Sequence, residues 1–183
     1  PVLDHWLREH GLSVPTDAQR RELERQTAEA AEDAVPCVAW HGAEVRIWDG
    51  RLHAIPPLPP LPTNWQSAWG GASLALPEGC GTLTTESTNG AAPTDGTIYD
   101  PPLRVRLRRG GERIKPMGDP HTRELRDLFQ QARIPPWLRA RCPLIYAGDE
   151  LIATADLWAS ERGRELFAAQ GAQPRWRKPA WAE

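Results

Sequence analysis

Apolar and polar positions alternate with two different periods along the chain, and the period changes near Pro36. Val2, Leu3, Trp6 and Leu7 recur at helical spacing, with Gly11 as a stop, which predicts a short amphipathic helix. Thr16 with Gln19 three residues on has the form of a capping box, and Leu23, Thr27, Ala30 and Ala34 continue the repeat. A second helix is expected from about Asp17 to Glu32. Its other face, with Arg20, Arg21, Glu24, Arg25 and Glu32, mixes both signs and reads as solvated. Beyond Pro36 the period falls to two. Val38 and Trp40 alternate, and the segments 44–48 and 51–55 flank Asp49-Gly50, a pair suited to the positive φ of a two-residue hairpin turn.

The run from Pro56 to Pro62, PPLPPLP, has no place in a ladder or a helix, and reads as a polyproline II spacer between two domains. Ser73–Leu76 and Gly81–Thr85 have strand character, and Thr88–Gly96 that of an exposed loop. Leu103 to Arg108 alternates strictly, which directs Leu103, Val105 and Leu107 into a core and Arg104, Arg106 and Arg108 away from it. Gly110-Gly111 and Gly118 make a loop carrying Arg113 and Lys115, in which backbone N–H groups can approach an anion. A helix capped by Asp119 or Thr122 follows, buried on Leu125, Leu128, Phe129 and Ala132, with Arg123, Arg126, Gln130 and Arg133 left for solvent or a partner. Pro135-Pro136 ends it and starts a short turn with Trp137, Leu138, Arg139 and Arg141; Trp137 reads as a core anchor. Pro143–Tyr146 and Leu151–Thr154 form a second hairpin, residues 162–169 a last helix, and Trp176 and Trp181 lie in a tail without a readable element.

This pattern is α+β: a small helical domain with a β-hairpin over residues 1–62, ending in the proline linker, then a β-sheet or sandwich domain packed with one main helix over 63–183, its core at 103–160. A start at Pro1, without Met or a leader, suits a piece of a longer chain. Three scattered cysteines and five histidines at no ligand spacing suggest neither disulfides nor a metal centre, and point to a reducing cytoplasm; no apolar run is long enough to span a membrane.

Charge changes the picture more than composition does. The chain is weakly acidic at −2, yet residues 103–148 hold eleven Lys and Arg against four Asp and Glu. Such concentration is the footprint of a surface that meets phosphate. Arg113, Lys115, Arg126, Arg133, Arg139 and Arg141 are the main candidates, followed by Arg108, Arg109, Arg104 and Arg106. No catalytic constellation stands out. His121 with Asp119 and Glu112 would be needed for a hydrolase, and nine Trp with the proline run would suit a protein-interaction module.

The three ordered blocks RRGGERIKPMG from Arg108, ELRDLFQQARIPPWLR from Glu124 and PLIYAGDELIATADLW from Pro143 resemble the C-terminal domain of bacterial tRNA(Ile)-lysidine synthetases. Residues 3–7, 16–36 and the Asp49-Gly50 hairpin are similar to the middle, substrate-recognition domain of that family, with Arg126 where its members usually carry Lys. The resemblance implies a ligase that uses ATP, with Mg, to join lysine to the wobble cytidine of the CAU-anticodon isoleucine tRNA. It further implies that these two domains hold the tRNA, the C-terminal one near the acceptor stem, in a fold also found in the beta chain of phenylalanyl-tRNA synthetase. ATP chemistry in the family belongs to an N-terminal catalytic domain with a Ser-Gly-Gly-x-Asp-Ser loop. The nearest string here, Trp69-Gly70-Gly71-Ala72-Ser73, lacks the leading Ser and the Asp, so no cofactor and no catalytic residue is expected within these residues.

Overall fold

The computed structural model describes residues 2–29, 35–88 and 99–182. They divide into two compact units, one reaching to Pro59 and one from Pro60, so the division falls inside the proline run.

The first unit contains helices α1 (Val2–Glu9) and α2 (Asp17–Glu29) and strands β1 (Cys37–Trp40), β2 (Ala43–Trp48) and β3 (Arg51–Ile55), which pair in that order as an antiparallel sheet. The expected end of α2, residues 30–32, lies outside the described residues. Thr16 and Gln19 form the reciprocal capping box: Thr16 N donates to Gln19 Oε1 at 2.8 Å, and Gln19 N to Thr16 Oγ1 at 3.4 Å. Asp49 and Gly50 both have positive φ, 51° and 69°, which twists the β2–β3 turn in the sense the strands need. Leu7, Leu23, Val38, Val45 and Ile47 form the core, with Leu3, Trp6 and Trp40 packed on it.

Arg20, placed by sequence on a solvated face, instead grips the buried Asp4 through two N–H donors, Nη2 to Oδ2 at 3.1 Å. The guanidinium holds the Asp4 carboxyl below its ordinary value of 3.8. Stability from this pair is therefore complete above that value and is lost as pH falls below it toward the lowered native value. Acid titration of unfolding should show this loss in the native chain, and D4N should be less stable at neutral pH and flatter in acid. Glu44, also buried, ties the proline run to β2, since its carboxylate accepts from Leu58 N at 3.0 Å and from Arg46 Nη2 at 2.9 Å.

The second unit is built on a five-stranded antiparallel sheet. Its strands are β4 (Gln66–Trp69), β7 (Leu103–Arg106), β10 (Leu144–Ala147), β11 (Glu150–Thr154) and β12 (Trp158–Ala159), ordered β12-β11-β10-β7-β4. Strands β5 (Leu74–Ala75), β6 (Thr82–Ser87) and β13 (Ala172–Arg177) make a three-stranded sheet ordered β13-β6-β5, and β8 (Arg113–Ile114) pairs β9 (Arg123–Glu124). Helices α3 (Leu125–Gln131), α4 (Pro136–Arg139) and α5 (Glu161–Ala169) complete it. The fold is α+β, with the helical part shared between α3 and the longer α5. Leu103, Val105, Leu125, Phe129, Leu144, Ile145 and Ile152 are buried, and so is Trp137, as a core anchor should be. Most of the expected loop Thr88–Gly96 lies outside the described residues.

Two differences from the sequence expectation matter for the surface. The helix after Gly118 begins at Leu125, not at Asp119 or Thr122. Asp119 uses its oxygens on His121 N (2.9 Å) and Arg123 Nη1 (3.2 Å), and the ladder to β8 keeps Arg123 and Glu124 extended. Ala132, assigned to the buried stripe, is the exposed C-cap. The tail that seemed featureless is β13, whose buried Ala172, Pro174 and Trp176 alternate with exposed Gln173, Arg175 and Arg177. As an edge strand it tolerates Pro174. Trp176 is 3 % exposed and donates Nε1–H to the Cys80 carbonyl at 2.8 Å. W176F keeps most of the ring but leaves that carbonyl unpaired, at an expected cost of about 1–2 kcal/mol in urea unfolding.

The three cysteines are free; burial pushes the Cys80 thiol up to about 11 and the Cys142 thiol up as well. No described helix is long and apolar enough to cross a membrane.

Candidate nucleic-acid interface

The basic stretch runs through β7, the loop to β8, β9, α3 and α4, and these elements sort its cations into three kinds. The first kind lies down on the sheet. Arg104, Arg106 and Arg108 alternate as expected, but they do not stand away into solvent. Arg104 and Arg106 lie over the Tyr146 ring, 5.6 and 4.3 Å from its centroid, because the antiparallel register sets Tyr146 opposite Arg104. Arg104 Nη2 also donates to the Gly148 carbonyl at 2.8 Å and to Asp149 Oδ1 at 3.1 Å. Arg106 donates to the Tyr146 hydroxyl at 2.5 Å, and burial pushes that phenol's pKa up, which keeps it a neutral acceptor. Arg108 lies over the Phe129 ring at 5.2 Å and faces Glu112 at 3.5 Å.

Glu112 organises the loop. Its side chain is 3 % exposed, and it accepts from Arg109 N at 2.5 Å and Gly110 N at 3.1 Å while facing Arg108. The N–H groups expected to receive an external anion are thus taken by a carboxylate of the same loop. Gly110 and Gly111, with φ of 98° and 75°, let the chain fold back tightly enough for this. Glu112 pairs with Arg108 and not with its neighbour Arg113.

The second kind is internal. Arg141 is 6 % exposed and donates Nη1–H to the Trp137 carbonyl at 3.2 Å. Arg139 is half-buried and donates Nε–H to the Ile134 carbonyl; burial and the nearby Arg108 pull its pKa below the ordinary arginine value. Both were candidates for the contact face. Burial takes Arg141 off it, and both bind carbonyl groups of the chain between α3 and β10, Arg139 while staying part-exposed.

The third kind is exposed: Arg109, Arg113, Lys115, Arg126 and Arg133. No ion pair involves the Arg113 or Lys115 side chain among the described residues. Arg126 is 71 % exposed, with Asp127 at 3.8 Å, and Arg109 Nη2 reaches the Asn64 carbonyl at 3.4 Å. Their frame is hydrogen-bonded: Arg113 faces Glu124 across the β8–β9 ladder, and Leu125 N donates to the Glu112 carbonyl at 2.9 Å, which joins the start of α3 to the loop. Arg133 follows α3 with φ of 50°. Arg123 leaves the candidate face by pairing with Asp119 at 3.2 Å.

Sequence reading passed over Arg175, Arg177 and Lys178, which are exposed on or just beyond β13; the alternation Gln173, Arg175, Arg177 was the signal that could have found them. Both carboxylates of the hydrolase candidates have other partners: Glu112 is committed to its loop and Asp119 to His121 N and Arg123. No group of His, Cys, Asp or Glu suited to a metal ion occurs among the described residues. The Trp69–Ser73 string does not suit a nucleotide phosphate either. Its carbonyl groups point inward, Ala72 O accepting from Trp69 Nε1 at 2.6 Å and Gly71 O from Thr85 Oγ1 at 2.8 Å.

A family described as "TilS substrate binding domain" matches residues 1–53, and one described as "TilS substrate C-terminal domain" matches residues 103–179. The tRNA(Ile)-lysidine synthase of Xylella fastidiosa (strain Temecula1) is 42% identical over 156 residues, which is 85% of this chain and 35% of that protein. That of Xanthomonas campestris pv. campestris (strain 8004) is 37% identical over 159 residues, 86% and 35%. That of Coxiella burnetii is 34% identical over 176 residues, 96% and 38%. The chain therefore spans little more than a third of the length of these curated relatives. A solved structure titled "Crystal structure of TILS C-terminal domain" is similar at 24% sequence identity and a TM-score of 0.38, covering 63% of this chain and all of that one.

Proposed function

Since the chain belongs to the tRNA(Ile)-lysidine synthase family and carries its substrate-binding and C-terminal domains, we propose that it grips and discriminates tRNA for that ligase. The substrate is the isoleucine tRNA with a CAU anticodon, held in part by its acceptor stem, while ATP and Mg act in the N-terminal catalytic domain of the parent protein. The observation that carries the reading is the set of five exposed cations, Arg109, Arg113, Lys115, Arg126 and Arg133, on the frame built by Glu112, β8, β9 and α3.

A double-helical RNA stem offers side chains its phosphates, its 2′-hydroxyls and a shallow minor groove, so it is recognised mainly by shape. Cations on a preordered frame suit that task, because little side-chain and loop freedom is lost on binding. Arg104 and Arg106 support the edge of the surface through Tyr146. The nine Trp residues that favoured a protein-interaction module are all at least half-buried, so they offer no broad apolar face.

The test is binding of the chain to the CAU-anticodon isoleucine tRNA, and to a control tRNA altered in its acceptor stem, across a salt series. The expected result is a steep fall of affinity with salt and tighter binding of the cognate tRNA. Salt-independent binding, or none at low salt, would overturn the phosphate grip; equal binding of both RNAs would overturn discrimination.

A further inference from the structure

A cleft of about 740 Å³ opens in the second unit between α5, β13 and the turn joining β11 to β12. Its floor is apolar, with Phe167 and Ala155 4 % and 1 % exposed. One wall is Trp158, held edge-on against Phe129 at 5.4 Å between ring centroids. Beside it stands Met117, the most exposed large apolar side chain of this unit at 59 %. Its backbone is fixed, since Met117 N donates to the Ala159 carbonyl at 2.8 Å. The rim is polar. Among the described residues, the Arg164 side chain has the Met117 sulfur at 3.3 Å as its partner, and Glu165 and Gln173 have no side-chain partner. Arg175 is held to Asp156 at 3.0 Å.

An apolar floor, an aromatic wall, an adaptable thioether and, beside the Arg175–Asp156 pair, a rim of one further cation, one carboxylate and one amide match a planar, weakly polar ring with an anionic tail. A double helix is too wide to enter, whereas a base outside a helix can stack there and be read along its edge. We propose that this cleft takes one unpaired nucleotide of the RNA gripped by the exposed cations. Its base lies against Trp158 and Met117, its amino edge faces Glu165 and Gln173, and its phosphate is held by Arg164. The carboxylate favours bases with an exocyclic amine, adenine, cytosine or guanine, over uracil, because an ionised carboxylate only accepts hydrogen bonds and uracil sets its single edge N–H between two carbonyl oxygens. The inference rests on the reading of the chain as an RNA-gripping protein.

The experiment compares three RNA hairpins with the same stem: one blunt, one with a short single-stranded 3′ extension of adenines and one with uridines. The adenine extension should tighten binding about tenfold over the blunt hairpin, as expected of one stacked base. A 2-aminopurine placed in that extension should lose fluorescence on binding as it stacks. M117A should remove the tenfold gain, and E165Q should remove the preference over uridine; both side chains are exposed, so both variants fold, and binding of the blunt hairpin should not change. Equal affinity for blunt and adenine-extended hairpins, with blunt binding intact, would overturn the cleft alone. Failure of every hairpin to bind would overturn the phosphate grip and the cleft together.

Discussion

A chain carrying R113E and R126E together is expected to bind tRNA about a hundredfold more weakly than the native chain, with unchanged thermal unfolding. Each reversal removes a phosphate partner and sets a carboxylate in its place. The plot of log affinity against log salt should therefore become shallower by about 1.5, near the slope carried by two phosphate contacts. The fold is indifferent to the change. Arg113 makes no side-chain ion pair among the described residues, and the Arg126–Asp127 contact at 3.8 Å is exposed and contributes little. The loss should be alike for cognate and control tRNA, because phosphate contacts position an RNA without reading it. A change in preference with no change in salt slope would show that these residues touch base edges instead.

The second large effect concerns Glu112, which makes no contact with RNA in this scheme. E112A should destabilise the second unit by about 3–5 kcal/mol, since it leaves the Arg108 guanidinium without its carboxylate and the Arg109 and Gly110 N–H groups without an acceptor. E112Q keeps an oxygen for one N–H and should cost about half as much. Below its unfolding temperature E112A should also bind RNA more weakly, because Arg109 loses the turn that presents it. Hydrogen exchange at Gly110 and Arg109 separates this from a direct contact: their protection should vanish in E112A and persist in R113E/R126E.

Local chemistry was legible in the sequence wherever the partner sat a few residues away. The Thr16–Gln19 box, the Asp49-Gly50 turn and the alternation from Leu103 to Leu107 each depend on near neighbours, and each is present in the structure. Features settled across the fold were not legible. Asp119 has the chemistry of a helix cap, but Arg123 and the β8–β9 ladder compete for that segment and hold it extended. Arg139 and Arg141 read as surface cations because arginine usually is one; carbonyl groups at Ile134 and Trp137 supply acceptors that draw Arg139 partly and Arg141 fully inside. Trp176 follows Pro174, which reads as a break unless one knows that β13 is an edge strand. The basic surface was thus found as a stretch of sequence, and its division into lying, buried and exposed cations came from tertiary contacts.

The pairing of β13 with β6 joins residues far apart in the chain, with Thr84 Oγ1 bonded to the Arg175 carbonyl across 91 positions. During synthesis at roughly 5–20 residues per second, β6 emerges about 5–20 s before its partner has been made. Through that interval one side of β6 has an open ladder edge, and apart from Glu86 the strand Thr82–Ser87 bears no charge to deter a neighbouring nascent chain. A nascent chain caught in that interval is therefore open to pairing with a neighbour on the same polysome, and slowing translation downstream of Ser87 should lower its soluble yield.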